Sequence, residues 1–486
     1  MTLLDHQDVF WPIGAFQYER HRPEQTLLYQ LIERHWPAFK DMLAAQGKQL
    51  PNHVTTEFDD YLKCGRLEHG FLRVRCESCG HEKLVAFSCK RRAFCPSCGA
   101  RRMVDSAAHL VDAVLPKRPI RQWVLSVPFQ LRFLFATNPA VMSQVLTIVH
   151  RVIGTFLIKR AGMTVKSGAQ SGAVTLIQRF GSALNLNPHF HMLYLNGVYD
   201  AKGYFWPVKP PSREDLDVIT HTIATRIARH LEKAGYLVRN PEHEYLDLLP
   251  DEDDAMNEIV GASITYRLAF GPNAGRKALT LQTVPARDSQ RKPNELVSRQ
   301  AGFSLHAGVA CKSTQRKKLE RLCRYITRPA IAEQRLSLAS NGNVIVGLKT
   351  PYDDGTSHVV LSPLEFIGRL AALVPRPRVN LTRFHGVFSP NSKLRKHVVP
   401  AQPAVEPGSD KKPKAYAMTW AQRLKRVFAI DIEKCEKCGG RVRVIASIED
   451  PVVIDKILKH LQLDQAPQPR NRSPPNLLFD HSTRLF

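Results

Sequence analysis

Apolar residues recur at helical spacing over 27–46, at Leu27, Leu28, Leu31, Ile32, Phe39, Met42 and Leu43, with Pro37 inside and Gly47 just beyond. A helical N-terminal element is predicted there. Over 121–135 the chain turns β-branched and aromatic, with Trp123, Val124, Leu125 and Val127 before Pro128, so a strand ending near that proline is expected. Asn138 and Pro139 suit an N-cap and first helical position, and Gly162 suits a C-terminal stop, which predicts a helix over 138–161. Residues 174–180 read as a strand, 181–187 as a turn, and 189–195 as a second strand closed by Asn196-Gly197. Another capped helix is expected over 212–235. The order strand, helix, strand, strand, helix predicts an α+β fold, a sheet with helices on one face.

Residues 242–258 are acidic and read as a solvated excursion, and 315–326 as a basic helix. A Pro/Lys-rich linker is expected over 401–418 and a polar tail from 466. Composition then narrows the function classes. With 43% apolar residues in 486 positions the chain can bury real cores, which excludes wholesale disorder. No apolar run reaches the roughly 18 residues of a membrane span, since 141–158 carries Ser143, Gln144, His150 and Arg151. The opening MTLLDHQDVFWP lacks a basic start and an apolar stretch, so no secretory signal is expected and a cytoplasmic protein without a membrane partner is. Lys and Arg number 69 against 44 Asp and Glu, a formal charge of +25, which attracts polyanions and makes nucleic acid the leading partner. A merely basic protein is the plainer alternative.

Six of the ten cysteines fall in Cys-x-x-Cys pairs, which in a reducing compartment points to metal or redox chemistry. Cys76-x2-Cys79 and Cys95-x2-Cys98 are 15 residues apart, the zinc-ribbon spacing in which two turns present four thiolates to one Zn²⁺. Gly80 and Gly99 follow each pair and permit tight turns. A closed site of this kind is structural. Cys89 is left over and reads as a free buried thiol, the alternative being a different ligand set or a second ion drawing on the nearby Cys64, His69 and His81. Cys435-x2-Cys438 lacks a partner pair: it is either half a zinc site completed by His460, His481 or another chain, or simply a turn. Arg91, Arg92, Arg101 and Arg102 surround the module and are candidate phosphate contacts.

His189 and His191 stand at i and i+2 on a predicted strand, so both imidazoles leave the same face and can share a metal. The alternative is a pair of surface or core histidines. Gln178, on the preceding strand of the predicted hairpin, is placed to be a third ligand. In 316–328, Leu319, Leu322, Cys323 and Ile326 form one helix side, while Arg321, Tyr325 and Arg328 form another. Tyr325 is thereby flanked by guanidiniums. A tyrosine hydroxyl can cut a phosphodiester if a metal withdraws charge from the phosphate and cations stabilise the transition state. The product, a phosphotyrosine, conserves the bond for rejoining. Otherwise Tyr325 is an ordinary residue of a basic solvated face.

Together these residues resemble the rolling-circle transposases of bacterial insertion sequences, the insertion-sequence ninety-one family and its common-region branch, within the His-hydrophobic-His (HUH) single-strand endonucleases. SCKRRAFCPSC at 88–98, GSALNLNPHFHMLYLNGV at 181–198, LCRYITRPAIAEQRL at 322–336 and FHGVFSPNSKLR at 384–395 carry the resemblance. It implies an HUH-endonuclease-like antiparallel sheet, with a helical region at 1–60, a zinc-binding DNA-contact module at 61–115, and a catalytic domain at 116–335. A C-terminal extension at 336–400 would follow, then the linker and a small region at 419–486. It further implies that His189 and His191, with Gln178 by analogy, bind Mg²⁺ or Mn²⁺. Tyr325 would be the nucleophile on single-stranded transposon ends, forming a 5′-phosphotyrosine. Position 321 is Arg where some members carry a second tyrosine, which implies a single-tyrosine mechanism. Lys317, Lys318, Arg321, Arg324, Arg328 and Arg395 would contact the strand, and a homo-oligomer stays open. A plasmid replication initiator or relaxase-type nickase, and an inactive zinc-dependent DNA-binding protein, are the alternatives.

Overall fold

The computed structural model describes residues 22–239, 244–246, 255–286, 296–400 and 433–463. The expected linker and tail, and most of the acidic stretch, lie outside these residues. The chain divides into two compact units, the smaller made of Gly65–Phe87 with residues from the 433–463 segment.

In the smaller unit, β1 (Phe71–Cys76) pairs antiparallel on one edge with β2 (Glu82–Ala86) and on the other with β18 (Val442–Ile448). A strand more than 360 residues downstream thus completes a three-stranded sheet. Leu67, Phe71, Ile454 and Leu458 form its core under the helix Pro451–His460, which Asp450 caps by accepting from the Val452 and Val453 amides.

The larger unit is built on a sheet of order β11-β12-β3-β5-β4-β17, with β13 also pairing β3. The strands are β3 (Ile120–Ser126), β4 (Gly172–Phe180), β5 (Leu186–Leu195), β11 (Val297–Gln300), β12 (Phe303–His306), β13 (Ala310–Cys311) and β17 (Thr382–Gly386). Every pairing is antiparallel. One face, with Trp123, Leu125, Phe190 and Met192, packs on α4 (Phe129–Thr137), α5 (Pro139–Arg160) and α6 (Arg213–Lys233). Each such fully buried aromatic contributes about 1.5–3 kcal/mol of apolar burial. The opposite face, with Ile120, Val174, Leu176, Leu193 and Leu195, packs on α3 (Pro96–His109), the turn of π-helix Leu110–Val114, and α8 (Arg316–Thr327).

Helices therefore cover both faces, not one. The physical reason is written in β5, which is buried almost without break, as a central strand covered on two sides must be. The strand expected to end near Pro128 does so: β3 ends at Ser126, and Pro128 stands at the N-cap of α4, where its missing N–H costs nothing. Asn138 caps α5, accepting from the Val141 amide at 3.2 Å, and Ser212 and Asp215 form a reciprocal capping box on α6. Among the described helices only Pro139–Arg160 is long and apolar enough to cross a bilayer, and Val145, Val149 and Ile153 bury its apolar side against the sheet.

A second sheet, β10 (Leu279–Gln282), β16 (Thr356–Leu361), β15 (Val344–Gly347) and β14 (Leu336–Leu338), packs its apolar residues with α1 (Leu27–Ala45), α2 (Asn52–Lys63), α7 (Ala255–Ile264) and α9 (Pro363–Leu373). Two small hairpins, β6 (Gly197–Tyr199) with β7 (Phe205–Pro207) and β8 (Leu237–Arg239) with β9 (Glu244–Leu246), complete the strands described.

Candidate active site and cysteine clusters

Two polar side chains interrupt the apolar face of β5. His189 and His191 are 9% and 6% exposed, and their Nε2 atoms stand 3.1 Å apart. His189 Nδ1 donates to the Asn187 carbonyl at 2.7 Å, which leaves its Nε2 with a lone pair. His191 Nδ1 lies 2.7 Å from the side-chain amide of Gln122 on β3. Burial pushes the His189 pKa down to about 4, and that of His191 well below its ordinary value, so both rings are neutral and each can offer a lone pair. For one cation to take both Nε2 lone pairs, Gln122 must present its oxygen to an Nδ1–H of His191. Sequence reading missed Gln122. Its signal was a glutamine among Ile120, Val124 and Ser126 on the same face of a buried strand.

Gln178 sits directly opposite His189 in the β4–β5 register, and its Nε2 donates to the Ile326 carbonyl at 2.9 Å. That bond ties the end of α8 to the histidine face while the amide oxygen remains as a hard donor. Asn187, two residues before His189 on the same strand, has a buried Oδ1 with no hydrogen-bond partner among the described residues. Two imidazole nitrogens with amide oxygens nearby suit Mn²⁺ or Mg²⁺, hard cations that also need oxygen ligands.

The helix α8 buries Leu319, Leu322, Cys323 and Ile326 against that same face. Arg316 fixes its start, donating to the Pro116 and Leu115 carbonyls at 3.0 and 2.9 Å and to that of Val111. Tyr325 emerges half-buried at the other end. Two cations lie over its ring, the Arg328 guanidinium 4.3 Å and the Lys349 ammonium 3.9 Å from the centroid. Arg328 also donates to the Tyr325 carbonyl at 2.7 Å, and its charge contributes to the lowered pKa of both histidines. One guanidinium thus acts on the phenol and on the imidazole pair. Beside Tyr325 opens a cavity of about 440 Å³ whose walls include Phe180, Arg328, Arg335, Lys349 and Tyr352.

The cations singled out by sequence divide in use. Arg91 pairs with Asp60, Arg92 donates to the Val379 carbonyl at 3.0 Å, and Arg102 to the Lys90 and Arg91 carbonyls at 3.0 Å. Lys318 donates to Ala310 and Arg395 to Phe388, the latter also lying 5.8 Å from the Phe384 ring. Arg324 is half-buried, while Arg101, Lys317 and Arg321 are exposed. Several of these side chains therefore hold the fold. The FHGVFSP stretch does so too: Phe384 lies against, and Val387 and Phe388 within, the core of the histidine face, and His385 stacks on His150 at 3.4 Å.

The cysteines form two clusters, and the predicted set of Cys76, Cys79, Cys95 and Cys98 does not meet at one site. Cys95 and Cys98, at the start of α3, join Cys64 and Cys89, with Sγ–Sγ separations of 3.5–3.8 Å. Cys76 and Cys79 join Cys435 and Cys438, with separations of 3.5 and 3.6 Å. The cause is topological. Phe71 pairs with Ala86 in a β1–β2 hairpin, and Gly65 N–H donates to the Phe87 carbonyl at 2.8 Å, so 65–87 is looped out between Cys64 and Cys89. Tetrahedral zinc with Zn–S near 2.3 Å spaces its sulfurs by roughly 3.8 Å, whereas a disulfide needs about 2.05 Å. Both clusters fit structural zinc. The missed signal was a repeated pentapeptide, CESCG at 76–80 and CEKCG at 435–439. Each folds as the same knuckle, with the Gly80 and Gly439 amides donating to the Cys76 and Cys435 carbonyls and both glycines at φ near +70°.

Comparison with known proteins agrees with these features. Residues 172–396 match the family described as "Putative transposase", and residues 31–127 match the "Transposase zinc-binding domain" of IS91 type. The transposase for insertion sequence element IS801 of Pseudomonas savastanoi pv. phaseolicola is 24% identical over 397 residues, covering 80% of this chain and 82% of that protein. No solved structure matches. Cys435 and Cys438 lie outside the matched zinc-binding region, whose other six cysteines it contains. The two matched regions, in this order around the cysteine clusters and the histidine strand, make the chain similar to insertion-sequence transposases of IS91 type.

Proposed function

We propose that the chain is a DNA strand transferase that cuts and rejoins single-stranded element ends through Tyr325. The observation that carries this reading is the docking of the tyrosine helix on the face of β5 where two neutral histidines converge, with Arg328 acting on both. His189, His191 and the Gln178 oxygen would hold Mn²⁺ or Mg²⁺, which when bound withdraws charge from the scissile phosphate. The Tyr325 hydroxyl gives up its proton to water, its oxygen attacks phosphorus, and the departing 3′-oxygen takes a proton from water. The bond to the 3′-oxygen breaks, releasing a 3′-hydroxyl and leaving a 5′-phosphotyrosine. Arg328 and Lys349, already at the ring, stabilise the phenolate and the crowded negative charge of the transition state. Attack by a second 3′-hydroxyl restores the diester and frees Tyr325. The two cysteine clusters would each hold a structural Zn²⁺ with no open coordination position.

The test is to incubate the protein with labelled single strands from the element ends and Mn²⁺, then map the DNA-linked residue by mass. An adduct at Tyr325 that disappears in Tyr325→Phe is expected. An adduct elsewhere, or none under conditions where strands bind, refutes the reading.

A further inference from the structure

We infer that the cavity beside Tyr325 is a subsite for one unstacked nucleotide of the cut strand, its phosphate against Arg328, Arg335 and Lys349 and its base against Phe180 and Tyr352. This rests on the strand-transfer reading above and adds Arg335 and Tyr352, to neither of which the sequence reading gave a role.

The first ground is charge. Three cations from three segments converge on one cavity: Arg328 after α8, Arg335 before β14, and Lys349 after β15. Asp353 also lines the cavity, but among the described residues no carboxylate comes within salt-bridge distance of any of the three cations, so positive charge is in excess there. Arg335 is locked in place by carbonyls on two sides, donating to Gly347 at 2.6 Å and to Ser182, so it cannot swing out into water to escape its neighbours. Arg328 is held by the Tyr325 carbonyl. Like charges fixed together without a counter-ion are unfavourable, and an anion in the cavity relieves the repulsion. Guanidiniums held in fixed orientation are the natural partners of phosphate oxygens.

The second ground is shape and chemistry. The cavity of about 440 Å³ is of the size that takes a single small ligand, on the order of 300–1,000 Å³. Phe180 lies 5.6 Å from the Arg328 guanidinium, the Tyr352 hydroxyl lies 3.5 Å from Ser182 Oγ, and both rings share the cavity wall with the three cations. Rings that stack a base beside cations that track the backbone are the general means of holding single strands. Because Tyr325 lies on the same wall, a nucleotide seated there sets which phosphate the phenol meets.

The experiment uses the full zinc-loaded chain in two forms, wild type and Tyr325→Phe. Single strands from the element end carry one abasic residue, moved position by position across the cut. In wild type with Mn²⁺, one abasic position next to the cut is expected to lower adduct formation by on the order of 10-fold, a stacking-sized loss. Tyr352→Leu should lose a similar factor on the intact strand and lose nothing further at that abasic position. Lys349→Gln, an exposed side chain whose loss leaves the fold intact, should weaken binding and lower the slope of log affinity against log salt by about 0.7. Uniform loss at every abasic position, or wild-type behaviour of both variants, overturns the subsite. If wild type forms no adduct at all, the strand-transfer reading fails by itself. Strand binding to Tyr325→Phe, measured by fluorescence anisotropy with the same abasic set, then decides the subsite: a loss confined to one position and abolished in a Tyr352→Leu background supports it, and a flat profile refutes it.

Discussion

At the scale of single residues, the site depends on which proton each ring keeps. The His189 tautomer is set by the Asn187 carbonyl, but that of His191 is set by Gln122, whose amide can face Nδ1 with either end. Replacing Gln122 with Leu removes the acceptor that frees the His191 Nε2 lone pair, so Mn²⁺ affinity is expected to fall by on the order of 10- to 100-fold. Gln122→Glu, which can only accept, should bind at least as tightly as wild type. Manganese titration followed by electron paramagnetic resonance checks both, and unchanged affinity in Gln122→Leu removes the residue from the site. On the opposite face of the sheet His150 is sealed between the Tyr194 hydroxyl and Thr175, with His385 stacked on it. Burial pushes His385 down to about 4 and His150 well below its ordinary value. The unfolded chain then takes up protons first, so this stability is fully present above about pH 6.5 and is lost as the pH falls toward 4, by on the order of 1–3 kcal/mol. Urea unfolding at pH 7 and pH 5 should show a smaller pH difference in His385→Phe than in wild type.

At the scale of elements, local signals were legible and through-space ones were not. The caps of α5 and α6, the amphipathic α8 and the two histidines on one strand face follow from spacing alone, because periodicity and capping are properties of neighbours in sequence. The cysteine partners do not: Cys64 and Cys89 flank an inserted hairpin, and Cys435 finds Cys79 only because β18 adds to β1. Nor does local patterning say that Arg335 and Lys349 meet Tyr325, since the turn after β4 and the second sheet bring them there. The expectation of one covered face failed although its correction was available, in a β5 that is apolar on both sides apart from Asn187 and its two histidines. The two knuckle pairs lead to a countable outcome. Metal analysis of the purified protein should give two zinc ions per chain. Cys435→Ser and Cys89→Ser should each lose one, from different clusters, and retention of both ions by either variant contradicts the ligand sets.

At the scale of the whole molecule, the zinc closure has a consequence for stability that the sheet alone does not. The smaller unit's described core is only Leu67, Phe71, Ile454 and Leu458 with a few partly buried neighbours, and its strand β18 exposes Val444 and Ile445. So small a core does not fold unaided, and small domains of this kind draw their stability from a metal. The larger unit has three extended cores and depends on metal only where Cys64, Cys89, Cys95 and Cys98 gather beside Phe58 and Phe94. Chelation should therefore act unevenly. Hydrogen exchange of the intact chain with and without a zinc chelator is expected to show β1 and β18 losing protection together, because each supplies the other's ladder. The central strand β5, paired on both edges and covered on both faces, should keep its protection under the same treatment. Loss of protection in β5 on the same timescale as β18 would mean that the metal holds the main sheet as well; unchanged protection in β18 would mean that the four thiols do not bind metal. Returning Zn²⁺ should restore β18, whereas Mn²⁺ should not, since thiolate ligands select the softer ion.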